Sequence, residues 1–171
     1  FGPSRSMTRS EAAAIFARLL AEKNGDTIST AANTKFADIP AHAWYSGYVK
    51  YLCNNGITYG KSKTIFAPND AITRAEFTTM AVRFFDVYGD GDAEIMEQFS
   101  GFNDVSSGYW AAEYIKYAAL HGWINGYGDG SFHADREINR AEVVTIVNRL
   151  LGREADESYI ADNLRKLNTF R

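Results

Sequence analysis

The chain repeats itself, and the repeat restricts the available folds more than any other feature. Residues 36–85 align without a gap on residues 102–151, a shift of 66, with 15 identities over 50 positions. These run Phe36/Phe102, Asp38/Asp104, Trp44/Trp110, Tyr48/Tyr114, Tyr51/Tyr117, Gly56/Gly122, Gly60/Gly126, Phe66/Phe132 and Ile72/Ile138, then Arg74-Ala75-Glu76 with Arg140-Ala141-Glu142. The opening of the chain is the second half of another copy. Phe1, Pro3, Met7, Thr8, Arg9 and Glu11 lie 65 residues before Phe66, Pro68, Ile72, Thr73, Arg74 and Glu76. The copies are therefore residues 1–35 (half a copy with its linker), 36–101 and 102–169, expected to form one compact unit. Phe170 and Arg171 read as the start of a further motif.

Each copy reads as a short helix, a glycine-containing loop, an extended segment and a longer helix. Short helices are expected over 44–55 and 110–121, where Tyr48, Tyr51 and Leu52, and then Tyr114, Tyr117 and Ala118, share a face. Gly56 and Gly122 follow as helix stops. Longer helices are expected over 8–23, 73–88 and 139–151. Their apolar stripes coincide: Ile15, Phe16, Leu19 and Leu20; Met80, Ala81, Phe84 and Phe85; Ile146, Val147, Leu150 and Leu151. None of the three can bury such a stripe alone, and mutual packing with pseudo-threefold order is the simplest solution. Further short helices are expected around Ile95, Met96 and Phe99, and over Ile160, Leu164 and Leu167.

Composition narrows the functional classes. The chain is 46% hydrophobic and 14% aromatic, enough apolar content to fold. A net charge of -3 argues against general attraction to nucleic acid or anionic membranes, so any anion site is local. No apolar run approaches the ~20 residues that span a bilayer. No signal peptide is visible, which carries little weight because a chain opening on Phe1-Gly2-Pro3 without Met reads as an excised piece. The single cysteine, Cys53, excludes an internal disulfide and a multi-cysteine zinc site, and is expected to pack in a helix. No cofactor or metal is expected.

The helix starts carry the chemistry. Thr8-Arg9-Ser10-Glu11, Thr73-Arg74-Ala75-Glu76 and Asn139-Arg140-Ala141-Glu142 each fit a capping box, which assigns Thr8, Thr73, Asn139, Glu11, Glu76 and Glu142 to structure. The arginine is different. A cation at the first helical position opposes the macrodipole by up to ~1 kcal/mol, and it recurs three times. Arg9, Arg74 and Arg140 therefore call for a negative partner. It is either a neighbouring carboxylate such as Asp38 or Asp104, or a bound anion held by guanidinium and free helix amides. On the corresponding loops, Tyr59-Gly60-Lys61 and Asn125-Gly126-Tyr127 either receive a sugar or form ordinary turns. Trp44 and Trp110, where short helices begin, are expected in the core.

Together, Phe-x-Asp, the tryptophan helix, Gly56-Ile57 through Gly60, Phe-x-Pro and Ile-Thr-Arg-Ala-Glu resemble the S-layer homology family over nearly the whole chain. The resemblance implies a mostly α fold: three repeats around a central three-helix bundle, short helices and loops forming prongs, and grooves between neighbouring repeats. It implies a non-catalytic module, extracellular at the bacterial cell wall, that anchors a secreted or S-layer protein. The implied ligand is a secondary cell-wall polysaccharide, often carrying pyruvylated N-acetylmannosamine. In that family the motif arginine helps hold the acidic group, which carries over to Arg9, Arg74 and Arg140, with Gly60 and Gly126 and nearby aromatics completing the groove. The sequence departs from the pattern where the first copy lacks its tryptophan helix and loop. It departs again at Trp123 in place of Ile57, and at Ala134 in place of Pro68.

Rival classes are modified-peptidoglycan binding, self-assembly, catalysis and calcium binding. The acids recur with the repeat and have capping or turn explanations, and neither His-Glu-x-x-His nor Gly-x-Ser-x-Gly occurs. Asp86, Asp90 and Asp92 fail the spacing of a calcium loop. Loss of Arg74 or Arg140 is expected to weaken ligand binding and leave the fold intact.

Overall fold

The computed structural model describes residues 2–89 and 99–153. Among them the chain forms five helices: α1 Arg9–Asn24, α2 Ser46–Asn54, α3 Arg74–Tyr88, α4 Ala112–Leu120 and α5 Arg140–Leu150. Most of the helix expected near Ile95, all of that over Ile160, Leu164 and Leu167, and Asp90 and Asp92 lie outside the described residues.

Each long helix opens on a capping box. The side chains of Thr8, Thr73 and Asn139 accept the amides of Glu11, Glu76 and Glu142 at 3.3, 3.2 and 2.9 Å. In return each glutamate accepts its cap's amide through Oε2 at 2.9, 3.0 and 3.0 Å. The extended residues before the helices then bind one another in a cycle. The Met7 amide donates to Ile138 at 3.0 Å, Ile138 to Ile72 at 3.0 Å, and Ile72 to Met7 at 2.9 Å.

The cycle continues into the helices. The first helical amides, of Arg9, Arg74 and Arg140, donate to the carbonyls of Asp70, Arg136 and Arg5. The second, of Ser10, Ala75 and Ala141, donate to Pro68, Ala134 and Pro3. With the third amide taken by the cap, the opening turn has no free donors left for a ligand. The expectation that helix amides would help hold an anion is therefore corrected. The same donors that usually make a helix start attractive to anions are consumed in joining the copies.

Below this junction, α3 packs against α1, α4 and α5, and α2 packs against α1. Among the described residues α1 and α5 make no close backbone approach. Aromatic rings fill the interior: Phe16 lies 5.2 Å from Phe77 and 5.0 Å from Phe84, all three fully buried. Burying each such side chain contributes roughly 1.5–3 kcal/mol. Small residues on α1 (Ala12, Ala13 and Ala17, all buried) let the neighbouring copies come close. Cys53 is half-buried on α2, and burial pushes its thiol up.

Trp44 and Trp110 do not enter the core. They are 53% and 57% exposed, and the next residues, Tyr45 and Ala111, are buried in their place. The helices begin at Ser46 and Ala112, so each tryptophan lies in the preceding turn, where the chain direction carries it outward.

The loop glycines are dictated by packing. A Cβ on Gly60 would lie 2.3 Å from Phe36 Cε1 and 2.7 Å from the Ile65 carbonyl, and its φ is +83°. On Gly126 it would lie 2.5 Å from Phe102 Cε1 and 2.7 Å from the Ser131 carbonyl. In both loops the close approach is made by the copy's own phenylalanine. We expect Gly60→Ala to cost roughly 3 kcal/mol, from overpacking plus left-handed strain, and Gly126→Ala less, from overpacking alone. Urea denaturation of the two variants checks the order.

Asp38 and Asp104 close the turns that follow these loops. Asp38 accepts the amides of Phe66 (2.9 Å) and Ala67 (2.6 Å), and Asp104 those of Phe132 and His133 (both 2.7 Å). Ala67 and His133 have φ of 60° and 54°, a left-handed conformation that the carboxylate bonds help hold. Burial raises the Asp104 carboxyl, but these amide donors outweigh it and hold the group below its ordinary value. A depressed carboxylate gives stability that is fully present above the ordinary aspartate range, about 3.9, and is lost as pH falls through it. Thermal melts should thus be level near neutrality and fall in acid. Asp104→Asn should melt lower at neutral pH and show a shallower acid decline.

Candidate functional site

Arg9 is 4% exposed and Arg74 is 5% exposed, so the repeated arginines point inward. Arg9 Nε donates to the Phe66 carbonyl at 2.7 Å, and its Nη1 is 3.0 Å from Glu76 Oε1. Arg74 Nε donates to the Phe132 carbonyl at 2.9 Å, Nη1 to Glu142 Oε1 at 2.9 Å, and Nη2 to the Asn125 carbonyl at 3.2 Å. Arg140 Nη1 is 3.8 Å from Glu11 Oε1. The negative partner is therefore the capping glutamate of another copy, in cyclic order. Each glutamate caps its own helix with Oε2 and receives a neighbour's arginine with Oε1. Asp38 and Asp104, the partners considered from sequence, are engaged by backbone amides instead.

The pairs differ in their surroundings. Glu142 Oε1 also receives Arg136 and, at 3.2 Å, the Tyr127 hydroxyl. Burial pushes the Glu142 carboxyl up, but the Asn139 amide and the Arg74 and Arg136 charges hold it below its ordinary value. Glu11 likewise receives Arg5, and its carboxyl is depressed against the effect of burial. Burial lowers the Arg74 guanidinium, opposed by Tyr127 and Glu142. Position 70 is equivalent to positions 5 and 136 in the alignment, but it holds an aspartate, and among the described residues Glu76 has Arg9 as its only cation.

Two clefts adjoin these pairs, and they correspond position by position under the repeat shift. The first, about 460 Å³, is lined by Arg9, residues 57–61, and Glu76, Thr79, Met80 and Arg83 of α3, with Trp110 at its edge. The second, about 280 Å³, is lined by Arg74, residues 123–125, Tyr127, and Ala141, Glu142, Thr145, Ile146 and Arg149 of α5. Of the residues singled out from sequence, Arg9, Tyr59, Gly60 and Lys61 meet in the first cleft. Arg74, Asn125 and Tyr127 meet in the second, while Gly126 is turned toward Phe102 and lines neither. Arg140 lines neither cleft.

The first cleft has a polar base and aromatic walls. Tyr59 and Trp110 are both exposed, 55% and 57%. Lys61 turns outward to Asp70 at 3.1 Å. Thr79 is buried, and its hydroxyl has no hydrogen-bond partner among the described residues. Arg83 was not anticipated. Its Nε and Nη2 both reach the Tyr114 hydroxyl, at 3.3 and 3.1 Å, and its guanidinium lies 4.9 Å from the ring centres of both Tyr59 and Tyr114. The repeat itself carried the signal, because Arg83 and Arg149 match at the shift of 66 and Arg18 precedes Arg83 by 65. Arg18 makes the same double contact to the Tyr48 hydroxyl.

An arginine held as Arg74 is belongs to the fold. Against the expectation that its removal leaves the fold undisturbed, Arg74→Ala should strand two carbonyls and leave Glu142 with Arg136 as its remaining cation, at about 3 kcal/mol. Arg140, with its side chain 29% exposed, should cost less. Chemical denaturation of both variants measures the difference.

The S-layer homology domain model matches residues 35–78 and 101–144, together more than half of the chain. A cellulosome-anchoring protein of Acetivibrio thermocellus is 33% identical over 155 residues, covering 90% of this chain and 34% of that protein. The surface-layer 125 kDa protein of Lysinibacillus sphaericus is 32% identical over 155 residues, covering 88% of this chain and 12% of its own length. The exoglucanase XynX of Acetivibrio thermocellus is 32% identical over 151 residues, 13% of its length. The chain spans about a third or less of each of these relatives. The copies of one motif, the glutamate-arginine pairs between them and the family match agree: the chain belongs to the S-layer homology domain family.

Proposed function

We propose that the chain is a non-catalytic, cell-surface anchoring module that binds an anionic cell-wall polysaccharide, with a pyruvylated sugar as the favoured determinant. The observation that carries this reading is the Arg9 cleft. It combines a buried guanidinium with two exposed aromatic side chains, Tyr59 and Trp110, in a hollow of about 460 Å³. That is the size and make-up of a site for one or two sugar rings: apolar faces for the ring and a placed cation for its acid group. Arg9 Nη2 has no hydrogen-bond partner among the described residues, which leaves its two N–H groups for a ligand. The names of the cellulosome-anchoring and surface-layer relatives support a wall-associated location.

The three copies are proposed to form one pseudo-threefold unit whose long helices meet at the backbone cycle. The residue boundaries 1–35, 36–101 and 102–169 belong to the same proposal.

Sedimentation of the chain with purified wall sacculi tests the function. Binding should be strong before, and lost after, chemical removal of the attached polysaccharide. Equal binding to stripped sacculi would point to peptidoglycan, and no binding to either would leave a self-assembly role. Trp110→Ala changes an exposed side chain and should leave the melting temperature within a few degrees. It should weaken binding by about tenfold, the loss of one ring-stacking surface.

A further inference from the structure

The two repeat-related clefts are built from matching positions, yet their contents differ in a way that decides which one is open. In the second cleft the Tyr127 ring lies over the Arg74 guanidinium, 5.2 Å from its centre. The Tyr127 hydroxyl is tied to Glu142 and receives Arg136. All three Arg74 nitrogens are already bonded within the chain. In the first cleft the position of Tyr127 is taken by Lys61, which leans away to Asp70. Arg9 keeps the Phe66 ring, 5.0 Å away, as Arg74 keeps Phe132, but it has no counterpart of the Tyr127 ring. The position of Asn125, whose backbone carbonyl accepts from Arg74, is taken by Tyr59, whose side chain is exposed.

Arg83 adds a second cation to the open cleft. Its plane is fixed between Tyr59 and Tyr114, and two of its nitrogens are spent on the Tyr114 hydroxyl. Among the described residues it has no carboxylate partner within ion-pair distance. The Arg18–Tyr48 contact is the same arginine–tyrosine bracket between the first two copies. In the first cleft the same bracket holds a guanidinium that, among the described residues, has no carboxylate partner, and the Thr79 hydroxyl on the same helix has no hydrogen-bond partner among them.

We propose that the Arg9 cleft alone takes the acidic sugar, with Arg83 as a second, specificity-determining cation, and that Tyr127 occupies the Arg74 cleft as a built-in substitute for ligand. This rests on the wall-glycan reading above. Titration calorimetry of the full chain with a pyruvylated N-acetylmannosamine glycoside tests it. The expected result is one site per chain. Arg83→Gln should weaken it about tenfold or more, the loss of a charge-assisted hydrogen bond. Arg149→Gln, the matching change in the other cleft, should leave it within about twofold. Since Arg83→Gln also loosens the bracket to Tyr114, Arg18→Gln serves as the comparison: it breaks the equivalent bracket and should spare binding. Tyr127→Lys, which gives the second cleft the residue of the first, should raise the stoichiometry toward two. Two equal sites in the unaltered chain, a loss with Arg149→Gln and none with Arg83→Gln, or equal losses with Arg18→Gln and Arg83→Gln would overturn the proposal. So would a stoichiometry of one for Tyr127→Lys. Absence of binding to both the glycoside and intact sacculi would defeat the wall-glycan reading itself, and this inference with it.

Discussion

The rest of the structure hangs on a glutamate used twice. Glu11, Glu76 and Glu142 each cap their own helix with one carboxylate oxygen and pair with an arginine of another copy through the other. Capping alone stabilises a helix by about 1 kcal/mol. Here the same carboxylate also offsets the unfavourable placement of a cation at a helix start. Each helix start is thereby made dependent on a neighbour. The backbone cycle through Met7, Ile72 and Ile138 applies the same logic to the main chain, because the amides a helix cannot satisfy itself are satisfied by the next copy. Half-copies would leave buried donors and a buried guanidinium unpaired, which is the physical reason the copies hold together as a unit.

This arrangement also shapes where a ligand fits. With helix amides consumed, each Arg74 nitrogen already bonded and Tyr127 lying over its guanidinium, neither the macrodipole nor that arginine has much left to offer an anion. What remains is the Arg9 cleft, where an aspartate replaces the second cation found beside Glu11 and Glu142, and a lysine replaces Tyr127. Repetition generates equivalent hollows, and a few substitutions at equivalent positions then make them chemically different. The aromatic residues divide in the same way. Phe36, Phe66, Phe102 and Phe132 form the interior of the copies. Tyr59 and Trp110 face outward around the cleft.

A repeat with a regular apolar period states its helices openly. The five helices lie within two residues of the boundaries expected from periodicity and capping residues, because these are local properties of 3.6-residue spacing and of side chains that bond their own backbone. The tryptophans were harder to place. An amphipathic count does not tell whether a residue at a helix start belongs to the first turn or to the bend before it, and one position of difference turns Trp44 and Trp110 from interior to solvent. The loop glycines, conspicuous from sequence as ligand contacts, are explained by the rings of Phe36 and Phe102, which are distant in the chain and adjacent in space.

The sequence by itself determined that the chain is a helical repeat, where the three long helices start, and that each repeated arginine needs a negative partner. Tertiary structure alone decided which carboxylate that partner is, since Glu76 and Glu142 lie in other copies than the arginines they meet. It alone brought Arg83 beside Tyr59 and Trp110, and laid Tyr127 over Arg74. The reason is distance. Capping and periodicity act over a few residues and are written in order along the chain, whereas charge pairing and ring packing act across copies. Their partners are chosen only when the backbone cycle sets how the copies meet.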